Sequence, residues 1–250
     1  MDEKYKTGCD RDFAWWETME KINHSPLIDL SQDYQRCHAF SMEMSHNERY
    51  VTRGQEGLTP EVIYSQQLVS KLGEMTHYKA TSPLYLDVKI PDFNIYQVAD
   101  KNWEPDNMMN GHKVAVKSQW LDDIEKGWTF QWWGGRGNSD RDYEIFSVKG
   151  ATNTIAVFVA IDFDHMTGRI FSFNWVMDLG IDMLFANPRK ANLCGIKVVV
   201  PPLKLLQQGA IHDINEINMY ETRKQRWTSC KTDDMFHDRI KKSIESKIHY

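Results

Sequence analysis

The sequence predicts an α/β or α+β fold around a central mixed sheet, on three observations. A capped amphipathic segment opens the ordered pattern at residues 59–73. A series of β-branched and aromatic runs follows between residues 84 and 202. Turn signals, Asn110-Gly111 above all, separate those runs. With 41% hydrophobic and 26% charged residues over 250 positions, composition is close to globular usage and leaves enough apolar surface for one sizeable core. A disordered tail, a collagen and a disulfide miniprotein are excluded.

Each element has its own signal. Thr59 caps a helix, Pro60 suits its first position, Glu61 complements the positive end of the dipole, and Gly73 reads as the stop. Glu61, Ser65, Leu68 and Leu72 share one stripe of that helix. LYLDVKI (84–90) and IYQVAD (95–100), with PDFN between them, read as a hairpin. Asn110-Gly111 then leads into the strand HKVAVKSQ at 112–119. IAVFVAIDF (155–163) and GRIFSFNWVM (168–177) are apolar strands, a short helix is expected near 179–187, and GIKVVVPP (195–202) supplies one more strand. Residues 132–140, WWGGRGNSD, read as a surface loop. The expected organisation is an N-terminal extension over 1–57, irregular or helical, a core over 58–210, and a charged helical C-terminal extension over 211–250.

Charge and cysteine usage bound the function without naming it. A formal charge of -5 argues against a uniformly basic nucleic-acid binder, although one basic groove is compatible with an acidic total. No apolar run is long enough to span a membrane, and MDEKYKTGCDRDF holds no signal-peptide core, so a soluble cytoplasmic protein is expected. Cys9, Cys37, Cys194 and Cys230 form no CxxC pair and read as reduced thiols. Walker, GxGxxG, GxSxG, HExxH and EF-hand motifs are absent, which leaves nucleotide-driven motors and serine hydrolases without support.

The segment VADKNWEPDNMMNGHKVAVKSQ, residues 98–119, carries the chemistry. An Asp ends one extended run, a polar connection with a tight turn follows, and the next strand holds a lysine in an apolar body. These residues resemble the PD-(D/E)XK nuclease superfamily, the restriction-endonuclease-like fold of a central mixed sheet flanked by helices. The resemblance extends over about residues 58–206 and implies a divalent-metal-dependent DNA endonuclease. In its terms Asp100 matches the metal-binding Asp, Lys117 the lysine that positions water or stabilises charge, and Gln119 a polar residue after it. Glu61 matches an accessory helix glutamate that approaches the metal. The acidic position falls on residue 115, where the chain has Ala115.

Phosphodiester hydrolysis needs a hard cation, Mg²⁺ or Mn²⁺, held by oxygen ligands. One carboxylate holds it far less well than two. Three readings of Ala115 are open: an acid replaced by alanine, a second carboxylate supplied from elsewhere such as Glu61, or a naturally inactive relative that binds DNA or a protein partner. Strand alternation puts Lys113, Ala115, Lys117 and Gln119 on one face and Val114 and Val116 on the other. Asp87-Val88-Lys89 is a second literal DxK, ranked below the first. Arg136, Arg141, Arg189 and Lys190 are candidate phosphate contacts. Trp132, with Trp120, Trp128 and Trp133, is a candidate for base stacking, although core placement is the commoner role of such residues. The expected partner is duplex DNA, a homodimer suits symmetric cutting, and an enzyme acting on RNA is the remaining class.

Overall fold

A computed structural model describes residues 20, 23–47, 59–96, 105–133 and 153–176, together with the backbone of two short strands at 185–186 and 196–200. It is mixed α/β. In chain order the elements are β1 (Leu27–Asp29), α1 (Tyr34–Ser45), α2 (Pro60–Thr81), β2 (Asn107–Met109), β3 (His112–Trp120), a 3-10 helix (Leu121–Lys126), β4 (Trp128–Trp133), β5 (Thr154–Asp162), β6 (Thr167–Trp175), β7 (Phe185–Ala186) and β8 (Ile196–Val200).

The main sheet has the order β1-β6-β5-β3-β2, and a second sheet has the order β4-β8-β7. β3 and β5 run parallel, whereas the other neighbours in the main sheet are antiparallel. A parallel pair at the centre is covered on both faces. The burial of β5 shows this directly, since every residue from Thr154 to Ile161 is buried. Helix α2 lies on one face. On the other, Trp128 and Phe130 of β4 meet Phe158 of β5 at centroid distances of 5.2 and 6.1 Å.

Helix α2 starts as its sequence dictates, with the Thr59 hydroxyl accepting from the Val62 N–H and Pro60 in the first turn. It does not stop at Gly73. The helix continues to Thr81, and Gly73 serves a different purpose: a Cβ there would collide with the Ser118 side chain, so glycine lets the helix backbone sit directly on β3. One turn further on, the Thr76 side chain occupies the space that a Cβ on Gly168 would need.

Three further expectations are corrected. Residues 84–96 form no strand ladder. Leu84 and Tyr85 donate to the Thr81 carbonyl, and Asn107 bonds the Lys89 N–H and carbonyl at 2.9 and 2.7 Å. The expected hairpin's second half, residues 97–100, lies outside the described residues. Phe185–Ala186 pairs with β8 as a strand instead of ending a helix. Finally, part of the stretch read as an N-terminal extension belongs to the packed body. β1 extends the sheet beside β6, Leu30 is fully buried, and Cys37, Phe40 and Met44 of α1 are buried where α1 meets α2. The expected C-terminal helices lie outside the described residues.

Candidate functional site

The site ribbon is β2 and β3, joined by the two-residue turn Asn110-Gly111. Both turn residues have positive φ, 50° and 77°, which matches the right-handed twist of the flanking strands and suits this dipeptide. The turn fixes the register: Met109 faces His112, Met108 faces Lys113, and Asn107 faces Val114. One step beyond the last pair, Asp106 stands across from Ala115. Its Oδ2 accepts the Val116 N–H at 2.8 Å, taking the place that a backbone carbonyl would fill if β2 continued.

Among the described residues, Asp106 is therefore the carboxylate that the ribbon register sets across from position 115. The sequence reading assigned that role to Asp100, which lies outside the described residues. A countable signal was present. Stepping outward from Asn110-Gly111 pairs 109 with 112 and hence 106 with 115, and Pro105-Asp106 is a literal Pro-Asp pair.

The sides of β3 divide as alternation requires. Val116 and Ser118 face Gly73 of α2, so Ala115, Lys117 and Gln119 point to the opposite side. There the Lys117 Nζ lies 4.7 Å from the centroid of the buried Phe130 ring, a cation-π contact that holds the ammonium beside the ribbon. Gln119 is committed elsewhere, its Nε2 donating to the Gly127 carbonyl at 3.0 Å and its Oε1 accepting from the Trp120 N–H. Its amide thus ties β3 to the end of the 3-10 helix.

Glu61 stands on the exposed first turn of α2, where the Thr59 hydroxyl and a backbone N–H lower its pKa. Twelve residues separate it from Gly73, about 18 Å along the axis from the contact with Ser118. The acid that α2 turns inward is Glu74. It is buried, its Oε2 accepts from the Lys71 Nζ at 2.6 Å, and burial raises its pKa to about 7 against the pull of Lys71, with the negative charge of Asp106 adding to the rise. The spacing of Leu72, Met75 and Glu74 on a helix extending past Gly73 would have pointed to it, but an expected stop at Gly73 removed that turn from view.

The remaining candidates divide into two groups. Trp128 is core, its indole N–H donating to the Val159 carbonyl at 2.9 Å, and Trp120 is half-buried with its indole bonded to the Ser65 hydroxyl at 3.1 Å. Trp132 lies in β4, with its side chain outside the described residues. Arg136, Arg141, Arg189 and Lys190 are also outside them.

The donors among the described residues fall short of what Mg²⁺ requires. Asp106 offers one carboxylate with one oxygen engaged by the Val116 N–H, Ala115 offers none, and Glu74 is buried with its Oε2 engaged by the Lys71 Nζ. Among the described residues no three His, Cys, Asp or Glu side chains converge in a way that holds a metal ion. The Asp106 carboxylate is held at the Val116 N–H with its charge close enough to Glu74 to raise that pKa, and the Lys117 ammonium lies over the Phe130 ring. No family model, curated protein or solved structure matches the chain.

Proposed function

We propose that the chain is a phosphodiester-hydrolysing scaffold of the PD-(D/E)XK kind, disabled at residue 115, and that with an acid at 115 it is a divalent-metal-dependent endonuclease acting on duplex DNA. The observation that carries the reading is the register of the β2–β3 ribbon, which sets Asp106 across from Ala115 two residues before Lys117. An acid at 115 would supply a second carboxylate across the ribbon from Asp106. A bound Mg²⁺ or Mn²⁺ would polarise the phosphate and lower the pKa of an attacking water. Lys117 stands where its ammonium can meet charge developing on the phosphate oxygens. On this reading Asp106 would take the role that the resemblance gives to Asp100, which lies outside the described residues.

The test is restoration. Ala115→Asp and Ala115→Glu, each verified as folded, are expected to cleave duplex DNA with Mg²⁺ or Mn²⁺ and to stop on chelation, while the parent chain stays inactive. The reading fails if both folded variants leave duplex DNA intact with either metal. Parallel assays on RNA separate the two polymers, and the oligomeric state of the active variant decides whether two copies act together.

Ala115 at the acidic position leaves one alternative, a nuclease-fold module that binds DNA or a protein partner without cutting. Binding that persists unchanged in the restored variants, with neither cleavage nor metal uptake, would favour it. No helix among the described residues is long and apolar enough to cross a membrane.

A further inference from the structure

We propose that Asp87 is a positioning residue for the site, clamping the turn that sets the register of the β2–β3 ribbon; its role in catalysis rests on the reading of Asp106 and residue 115 given above. The Asp87 carboxylate lies across the tip of the turn. Its Oδ1 accepts the Asn110 N–H at 3.0 Å and its Oδ2 accepts the Gly111 N–H at 2.7 Å. Two consecutive N–H groups with positive φ form a small concave donor pair, and a carboxylate is the side chain that satisfies both at once.

The clamp has a second point of attachment. Lys89, two residues after Asp87, is held through both backbone groups by the Asn107 amide, and the Asn107 Oδ1 also accepts the Met108 N–H at 2.8 Å. The segment around residues 87–89 thus runs as a strap beside β2 and fastens to the ribbon at the tip and near the open end. It uses side-chain bonds where a paired strand would use a ladder, which explains why a stretch with strand-like composition forms none. A strap of this kind resists the one error the ribbon cannot tolerate. A one-residue slip in pairing would turn the side chains of one strand to the wrong face and remove Asp106 from position 115.

Amide hydrogen exchange on the full chain tests the clamp without reference to activity. The reporter is the Val116 N–H, which bonds Asp106 only in the native register, and the control is the Val159 N–H of β5, remote from the strap. Asp87→Ala is expected to lower protection at Val116 by about tenfold or more with Val159 unchanged. Asp87→Asn, which keeps one acceptor oxygen, should fall between Ala and the parent. Unchanged protection at Val116 in Asp87→Ala, or an equal loss at Val159, overturns the proposal. Should Asp87→Ala not fold, Asp87→Asn carries the same comparison. In the Ala115→Glu background Asp87→Ala should lower kcat with KM held, and Asp87→Asn should recover part of it. If Ala115→Glu and Ala115→Asp are both folded and inactive, the nuclease reading fails while the exchange comparison still decides the clamp.

Discussion

Two buried ionisable side chains on α2 respond to pH in opposite directions. His77 has 0% exposure, and among the described residues neither ring nitrogen has a hydrogen-bond partner. Burial alone lowers its pKa to about 4 from an ordinary 6.5. Between these values the unfolded chain binds the proton and the folded chain does not, so His77 contributes stability above pH 6.5 that is lost as pH falls through 4. Glu74 acts the other way. With its pKa raised to about 7 from 4.5, the folded state holds a proton that the unfolded state has released, so stability falls as pH rises across that window. The parent chain should show a shallow net dependence near pH 5–6. His77→Leu should unmask the Glu74 slope: its urea midpoint should fall as pH rises from about 4.5 to 7, with an unfolding free energy lower by on the order of 1–3 kcal/mol. A midpoint that rises over that range would show that the imidazole is not the opposing group.

At the scale of the element, the close seat of α2 on β3 decides how substitutions there behave. Gly73→Ala would gain about 1 kcal/mol in helix propensity on an exposed helix. Here the added methyl meets the Ser118 side chain, and the Ser118 Cβ lies only 2.6 Å from where it would stand. We expect a net loss of about 1–3 kcal/mol by denaturant unfolding. Ser118→Gly in the same chain should recover most of it, because the two positions share one space. Additive losses in the double variant would contradict a direct clash. The same residue shows where sequence reading ran out. The cap at Thr59, the turn at Asn110-Gly111 and the strands β3, β5 and β6 were legible, because local chemistry or a strong apolar run specifies each. Gly73 was not, since a glycine required for close approach and one required for a helix end look identical without the neighbour that approaches. Residues 84–96 failed for a related reason. Their composition suits a pleated strand, but the Asn107 amide takes up the Lys89 backbone and the Asp87 carboxylate reaches out to the turn, by side-chain bonds that have no period. That position 115 and Lys117 share one side of β3 was legible from strand alternation, whereas the placement of Asp106 across from residue 115 needed the register to be counted and the burial of Glu74 needed the helix to be long enough.

For the molecule as a whole, the packed body begins before α2. Leu30 is fully buried beyond β1, and the Leu30 N–H bonds the Met166 carbonyl at 3.0 Å. Lys79 near the end of α2 reaches back to the Asp33 carboxylate and the Asp29 carbonyl, and the His38 ring bonds the Tyr64 hydroxyl at 2.7 Å. A chain starting at residue 59 would expose the side of α2 that α1 covers and the outer edge of β6. Leu30, Phe40 and Met44 alone represent about 5–8 kcal/mol of lost burial, comparable with the whole stability of an ordinary domain. Such a truncated chain is expected to lose its cooperative thermal transition and near-ultraviolet circular dichroism. A sharp transition within a few degrees of the parent would show that residues 20–47 are dispensable.

The clamp on the turn also bears on how the protein ages. When asparagine precedes glycine, the glycine nitrogen can attack the asparagine side-chain carbonyl, releasing ammonia through a cyclic imide that reopens mainly to isoaspartate. In Asn110-Gly111 that nitrogen is the one whose hydrogen points to Asp87 Oδ2 at 2.7 Å. Holding it in place slows the attack, and losing the hold would insert an extra backbone carbon at the tip of the hairpin. Samples carrying Asp87→Ala should therefore accumulate isoaspartate at position 110 faster on storage at neutral pH than the parent, as peptide mapping would show.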